Sequence, residues 1–388
     1  MTDTSMNAPQ GALLDGPEAA TSTQSPIIVQ VAKTHGVSPL RQLRESWSMR
    51  GGAQKLGSNE YYSLGLFDPA MPPAAKRAFV GQKGINALNT RLNPPAAVPT
   101  RAFVGNKLLY TQLLAQLGIA TAQTQALVST HRSAGTLRTL RDADALARFL
   151  ETEARYPLFG KPHHGSLSEG SVRLTGCADG MVHLANGDAQ SVHAFAAEIM
   201  ARYPGGFILQ TALDPHGDMA RIAGPAIGCV RVVTVNDGSG PTAAYAVWKL
   251  PAPRAMSDNF WQAGSLLAAL DLDTGAVTRC VMGTGLAQRE TPEHPVSGAR
   301  IVGTALPHWE ATVQIARDAH AVFPEFGVCG FDIAVTQNGP NILECNDNPS
   351  HNLFQIASGT GVLSPALTPL WDAVGDRQAK QLQRLKGK

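Results

Sequence analysis

Residues 330–352, GFDIAVTQNGPNILECNDNPSHN, constrain this chain more than any other stretch. Two segments with alternating apolar residues, Phe331 to Thr336 and Asn341 to Glu344, flank Gln-Asn-Gly-Pro, a pattern that predicts a β-hairpin. Asp332 lies on the first strand, Glu344 ends the second, and Asn346 stands two residues further on. Closing the hairpin brings two carboxylates and an amide oxygen toward one point. Hard oxygen ligands arranged this way suit Mg²⁺, which takes one or two protein carboxylates and fills its shell with water and phosphate. A half-buried hairpin with incidental acids is the alternative. Three metal-competent side chains between residues 332 and 346, leading into Pro-Ser-His-Asn, are more polar chemistry than a core strand normally carries.

With 388 residues the chain can bury a sizeable core in two or three lobes. Its net charge of +2 lacks the basic excess of a nucleic-acid-binding domain, so no nucleic-acid partner is expected. No apolar run approaches the roughly 20 residues of a membrane span. Residues 1–25 are rich in Ser, Thr, Gln and Pro and lack a basic start followed by an apolar block; a disordered leader is expected rather than a secretory signal. The five cysteines, at 177, 229, 280, 329 and 345, are dispersed and contain no Cys-x-x-Cys pair, which fits a reducing, cytoplasmic setting. Cys345 is read as a small packed thiol rather than a nucleophile, because no histidine is locally placed to activate it.

Residues 26–100 mix short apolar and basic helical pieces with Gly and Pro breaks. Lys107 to Leu117 is helical and capped by Gly118. A strand is expected within Ile119 to Val128, a helix over Arg138 to Ala154, then strand, polar loop and strand over Tyr156 to Leu174. Gly206 to Leu213, Val230 to Val235, Ala243 to Leu250 and Leu266 to Leu272 are further strand segments, and Trp309 to Phe323 is an amphipathic helix. Long antiparallel-looking runs with few intervening helices predict α+β lobes. The basic tail from Trp371 to Lys388 is expected to be solvated.

The loop after Lys161, His-His-Gly-Ser-Leu-Ser-Glu-Gly-Ser, combines Gly165 and Gly170 with the hydroxyls of Ser166, Ser168 and Ser171. Such a loop can turn successive backbone N–H groups toward an anion, with Lys161 as a point charge. On its own it is weak evidence. Lys107 upstream, Gln210 at a strand end, Arg231 on a later strand and the acidic hairpin together supply what ATP with Mg²⁺ requires: cations, backbone donors and a metal site.

The order Lys107, Lys161 with its loop, Gln210, Arg231, Asp332, Glu344 and Asn346 resembles the ATP-grasp superfamily, most closely its sugar-transfer-associated branch. GFDIA and ECNDNPSH match recurrent runs of that branch, and SDNFWQAGSLLAALDLDTG, with Asp258 and Asn259, matches a third. The likeness covers about residues 60 to 360. It departs from the branch at Thr211, at Gly228-Cys229-Val230, at Lys249 and at Ala263-Gly264.

The resemblance implies two α+β lobes clasping ATP, with a smaller N-terminal region: 26–100 N-terminal, 101–205 small lobe, 206–365 large lobe and 366–388 a helical tail. It implies that Lys107 and Lys161 contact phosphates and that the loop through Gly165, Ser166, Ser168, Gly170 and Ser171 closes over them. Gln210, Thr211 and Ala212 would line the adenine, and Asp218 would meet the ribose. Arg231 and Lys249 would act on the transferring group, and Asp332, Glu344 and Asn346 would hold Mg²⁺, with Mn²⁺ as a substitute. The implied activity is ATP-dependent ligation, in which a carboxylate becomes an acyl-phosphate and an amine displaces phosphate, in polysaccharide or natural-product assembly. A phosphotransferase acting on a sugar hydroxyl and a non-catalytic nucleotide-binding protein stand as alternatives. The expected partner is a small-molecule acceptor, with a homodimer left open. Glu344→Gln or Asp332→Asn is expected to abolish ATP turnover and leave the fold intact.

Overall fold

The computed structural model describes residues 11–14, 26–165, 168–252 and 255–387. Ser166 and most of the expected leader lie outside them. The described residues gather into two units, each built round one seven-stranded sheet, and the architecture is α+β. The first unit holds residues 122–213 with 11–14 and 255–259; the second holds 26–121, 214–252 and 260–387.

The first sheet contains β1 Thr124–Val128, β2 Arg138–Leu140, β3 Leu158–Pro162, β4 Val172–Ala178, β5 Met181–Leu184, β6 Ala189–Ser191 and β7 Phe207–Thr211. Their order is β2-β1-β7-β3-β4-β5-β6, antiparallel except for the β1–β2 pair. Because β7 pairs with both β1 and β3, the first unit runs on to Leu213 rather than stopping near residue 205. Helices Ala143–Thr152 and Val192–Arg202 cover the sheet, burying Leu146, Phe149, Phe195 and Ile199 against Leu158, Leu174 and Phe207. The helix expected from Arg138 starts later. Asp142 caps it, its carboxylate accepting from the Ala145 N–H at 2.7 Å, and the three residues from Arg138 to Leu140 form β2 instead.

The second sheet contains β8 Val230–Asn236, β9 Pro241–Leu250, β10 Leu266–Leu270, β11 Val277–Met282, β12 Arg289–Glu290, β13 Val328–Thr336 and β14 Gly339–Asn346. The order is β12-β11-β10-β9-β8-β13-β14, antiparallel throughout. Both faces are covered, and the two-residue period of a strand sorts the side chains. Val230, Val232, Ala246, Trp248, Leu266 and Ala268 pack with helix Trp309–Ala321. On the opposite face Val247, Leu267 and Ala269 meet Tyr61, Leu66 and Phe67, while Val233, Val235 and Tyr245 meet Ile85, Leu92, Trp371 and Val374.

The N-terminal region is therefore one cover of the second sheet. The tail needs a correction: Trp371, Val374 and Gln378 of helix Thr368–Lys386 are fully buried on one face, while Asp372, Ala373 and Asp376 on the other face and the last turns are exposed. Residues 11–14 are also docked, which corrects the leader expectation for that stretch. Leu13 is buried in the first unit's core, and the Ala12 and Leu13 N–H groups donate to the Glu198 carboxylate at 2.9 and 3.3 Å. No helix among the described residues is long and apolar enough to cross a membrane.

Candidate functional site

In the second unit four adjacent strands carry a row of charge. Asp332 on β13 is the register partner of Glu344 on β14 and of Arg231 on β8, and Arg231 in turn pairs with Val247 on β9, two residues from Lys249. Cross-strand neighbours stand about 5 Å apart and diagonal ones about 7–8 Å, so the side chains of such a row meet. Their alternation sets them on the face away from helix Trp309–Ala321, since Phe331, Ile333, Val230, Val232 and Trp248 occupy the other. A bulge between Asp332 and Ile333 accompanies the acidic pair.

Arg231 donates Nε to Asp332 Oδ1 and Nη2 to Oδ2, both at 2.7 Å, and Lys249 Nζ donates to Oδ2 at 3.0 Å. Burial alone would push the Asp332 carboxyl up; the Arg231 guanidinium and Lys249 ammonium outweigh it and hold it well below the usual carboxylate range. Glu344 is looser, with its side chain 29% exposed. Lys107 Nζ lies 3.6 Å from Oε2, Arg231 Nη2 3.9 Å from Oε1, and the Asn346 amide donates to Oε1 at 3.2 Å. Lys107 opens helix Lys107–Gln116, whose first turn is capped by the Asn106 side chain accepting from the Leu109 N–H at 3.2 Å.

The donor set fits a hard cation. A carboxylate has about four lone-pair positions, and Asp332 uses three on Arg231 and Lys249. A cation there would find Glu344 the fuller ligand, one remaining position on Asp332 and the Asn346 amide oxygen. Among the described residues no group of three or more His, Cys, Asp or Glu side chains is placed to hold a metal. The salt bridges also revise the Asp332→Asn expectation. Removing that charge would strip Arg231 and Lys249 of the carboxylate they share, so a loss of stability is expected beside the loss of turnover.

Asparagines that sequence reasoning missed brace the loop after Asn346. Asn93 Nδ2 donates to the Asp347 carbonyl at 2.8 Å and the Val328 carbonyl at 2.7 Å. Asn89 Nδ2 donates to Asn348 Oδ1 at 2.7 Å and the Pro349 carbonyl at 3.0 Å. His351 is fully buried between Asn89 Oδ1, 2.9 Å from Nε2, and the Tyr245 hydroxyl, 2.6 Å from Nδ1. Burial, with a smaller push from Arg231, lowers it to about 3. It is a neutral loop anchor, not a base. The legible signal was an asparagine pair four residues apart, at 89 and 93 around the end of helix Gln82–Leu92.

A family model described as sugar-transfer associated ATP-grasp matches residues 85–368, well over half of the chain. The chain belongs to that family. No curated protein matches this ATP-grasp chain. Solved structures similar to it include the D-alanine–D-alanine ligase of Coxiella burnetii, 15% identical, TM-score 0.42, covering 74% of this chain and 60% of that one. An L-amino acid ligase from Bacillus licheniformis is 12% identical, TM-score 0.40, covering 71% and 48%. A biotin carboxylase from Campylobacter jejuni is 11% identical, TM-score 0.42, covering 71% and 46%. The ATP-grasp chain spans less than two thirds of the length of each.

The remaining expected residues of the ATP-grasp chain lie mostly in its first unit. Lys161 is buried on β3, beside β7, in register with Ile208. Gly165 (φ +140°), Ser168 (φ +60°) and Gly170 (φ +73°) give the following loop its left-handed turns. At Gly170 a methyl group would overlap the Tyr203 phenol. Ser171 is buried, and residues Gly170 and Ser171 exchange backbone hydrogen bonds with Leu14 at 2.8 and 3.3 Å. Gln210 is inward: its amide donates to the Thr124 hydroxyl at 3.2 Å and the Ala122 carbonyl at 3.4 Å. The Thr211 and Ala212 N–H groups donate to the Gln123 and Pro157 carbonyls. His163 lies against the Gly206 carbonyl, 2.8 Å from Nδ1. Asp218 belongs to the second unit, in the first turn of helix Gly217–Ala223, ion-paired with Arg221.

Proposed function

We propose that this chain is an ATP- and Mg²⁺-dependent ligase that activates a substrate carboxylate as an acyl-phosphate for attack by an amine. One observation carries the proposal: the row Lys249–Arg231–Asp332–Glu344, closed by Lys107 and Asn346, sets three cations against two carboxylates and an amide.

In this role Glu344, Asp332 and Asn346 hold Mg²⁺, or Mn²⁺ in its place; the metal supplies charge neutralisation for a triphosphate. Lys107 lies beside Glu344 at the rim and is assigned to phosphate oxygens. Arg231 and Lys249 are held rigid by Asp332 and are assigned to the charge that develops as the γ-phosphoryl passes to a carboxylate oxygen. Fixed donors of this kind need no reorganisation during the transfer. A carboxylate oxygen becomes a leaving group only once phosphorylated, after which an amine nitrogen forms the new bond to carbon and inorganic phosphate departs.

Lys161, Gly165, Ser166, Ser168, Gly170 and Ser171 are assigned to phosphate contacts, Gln210, Thr211 and Ala212 to the adenine region, and Asp218 to the ribose. Gln210 would act there by fixing the β7–β1 pairing rather than by touching the base. The substrates are assigned by class alone, a small carboxylate and an amine, amino sugars and sugar acids included. The family description, sugar-transfer associated, supports a place in glycan assembly. The five cysteines, dispersed along the chain with no Cys-x-x-Cys pair, support a reducing, cytoplasmic setting.

The test is a screen for ATP consumption against amino acids, amino sugars and sugar acids, followed by oxygen-18 in the carboxylate of any active substrate. Label recovered in released phosphate means an acyl-phosphate. Phosphate retained on the product makes the enzyme a phosphotransferase and overturns the ligase assignment.

A further inference from the structure

Helix Pro39–Ser48 is packed the wrong way round for a core helix. Its inward residues are polar: Gln42 is fully buried, donating Nε2 to the Val37 and Ile28 carbonyls at 2.7 and 3.0 Å and accepting from the Tyr62 hydroxyl at 3.1 Å, and Ser46 is buried beside it. Its outward residues are apolar. Leu40, Leu43 and Trp47, 78%, 57% and 75% exposed, follow one another at helical spacing and form one stripe. Arg44 borders the stripe, Arg41 lies one step further round, and Arg50 follows the helix; all three are exposed. The one acid of the helix, Glu45, is turned inward, bound to Lys76 at 2.9 Å, Arg41 at 2.8 Å and the Tyr61 hydroxyl at 2.8 Å. The exposed face is therefore apolar and, at Arg44 and Arg50, cationic, while Arg41 at its edge is ion-paired with the part-exposed Glu45.

We infer that this face is a docking surface for an anionic lipid membrane, on which the helix lies in the plane of the headgroups. The chemistry is matched part by part. Trp47 suits the headgroup level, Leu40 and Leu43 the upper acyl region, and the arginines the lipid phosphates. A second copy of the chain is a poor occupant, because a two-fold axis on the stripe would set Arg41 and Arg44 against their own kind. A protein partner is also poorly matched: three side chains present on the order of a few hundred Å², short of the ~800 Å² per side of a standard interface. A bilayer needs no complementary shape. The surface is independent of the ligase assignment and concerns where the chain works, not what it turns over.

The experiment is co-sedimentation of the full chain with phosphatidylcholine vesicles, with and without phosphatidylglycerol, compared with Leu43→Ser/Trp47→Ser and with Arg44→Ala. The substituted side chains are largely exposed, and circular dichroism checks that the fold is kept. The full chain should bind the anionic vesicles and not the neutral ones. The double variant should lose more than tenfold in affinity, and Arg44→Ala about fivefold. Three outcomes would overturn the inference: no binding to anionic vesicles at 0.1 M salt; binding that the double variant retains; or a dimer in sedimentation velocity that the double variant dissolves.

Discussion

Arg231 grips Asp332 through two parallel hydrogen bonds, Nε to Oδ1 and Nη2 to Oδ2, both 2.7 Å, inside the second sheet. A buried pair of this kind is expensive to break from one side, because the partner is left charged and unsatisfied. Asp332→Asn should lower unfolding free energy by roughly 3–5 kcal/mol. Urea denaturation followed by circular dichroism measures it. A variant as stable as the parent would mean that the pair is not buried as described.

Glu344 behaves differently because it is part-exposed and held only by longer contacts. Glu344→Gln should leave the urea midpoint within about 0.5 kcal/mol of the parent while lowering Mg²⁺-dependent ATP turnover roughly 10²- to 10³-fold. The contrast between the two acids is the useful quantity. Equal losses of stability would remove the distinction drawn between a structural carboxylate and a metal-holding one.

Two histidines are buried neutral: His351, lowered to about 3, and His320, lowered to about 4, each chiefly by burial. In the unfolded chain a histidine takes up its proton near 6.5. The unfolded state therefore binds more protons below that pH, so stability is full above about 6.5 and falls as acid is added. Each histidine should cost up to about 1.4 kcal/mol per pH unit over that fall. Urea midpoints between pH 7 and pH 5 measure the slope, and His351→Gln should reduce it by about half. A slope unchanged in that variant would contradict the neutral assignment.

Residues 11–14 are held on the first unit by the Glu198 carboxylate and by the Leu14 bonds to Gly170 and Ser171. Leu13→Asp should destabilise the first unit by about 2–5 kcal/mol, and limited proteolysis should then cut near the N-terminus sooner. Unchanged cleavage would show that the docked stretch is not held in solution.

The acidic hairpin was legible because its chemistry and its turn coincide in 23 contiguous residues, 330 to 352. A strand period of two and an Asn-Gly turn carry enough information to place β13 and β14 to within a few residues. Arg231 and Lys249 were legible as cations, but not as partners of Asp332. That pairing depends on the β9-β8-β13 order, and strands some 80 to 100 residues apart leave no local trace of their register. Asn89 and Asn93 were missed for the same reason. Their short helix reads as an amphipathic surface piece, and only the fold brings it over the loop at 347–349. The tail misled because charged residues run along it from Asp372 to Lys386, while Trp371 and Val374, which decide its burial, look like isolated apolar residues.

Calorimetric titration of MgATP and of ATP with chelator, into the parent chain and into Glu344→Gln, tests most directly whether the row on the second sheet holds metal and nucleotide. Saturable binding that needs magnesium in the parent and is weakened at least tenfold in the variant is expected. Absence of nucleotide uptake by the parent with magnesium present, or binding indifferent to both magnesium and Glu344, would contradict it.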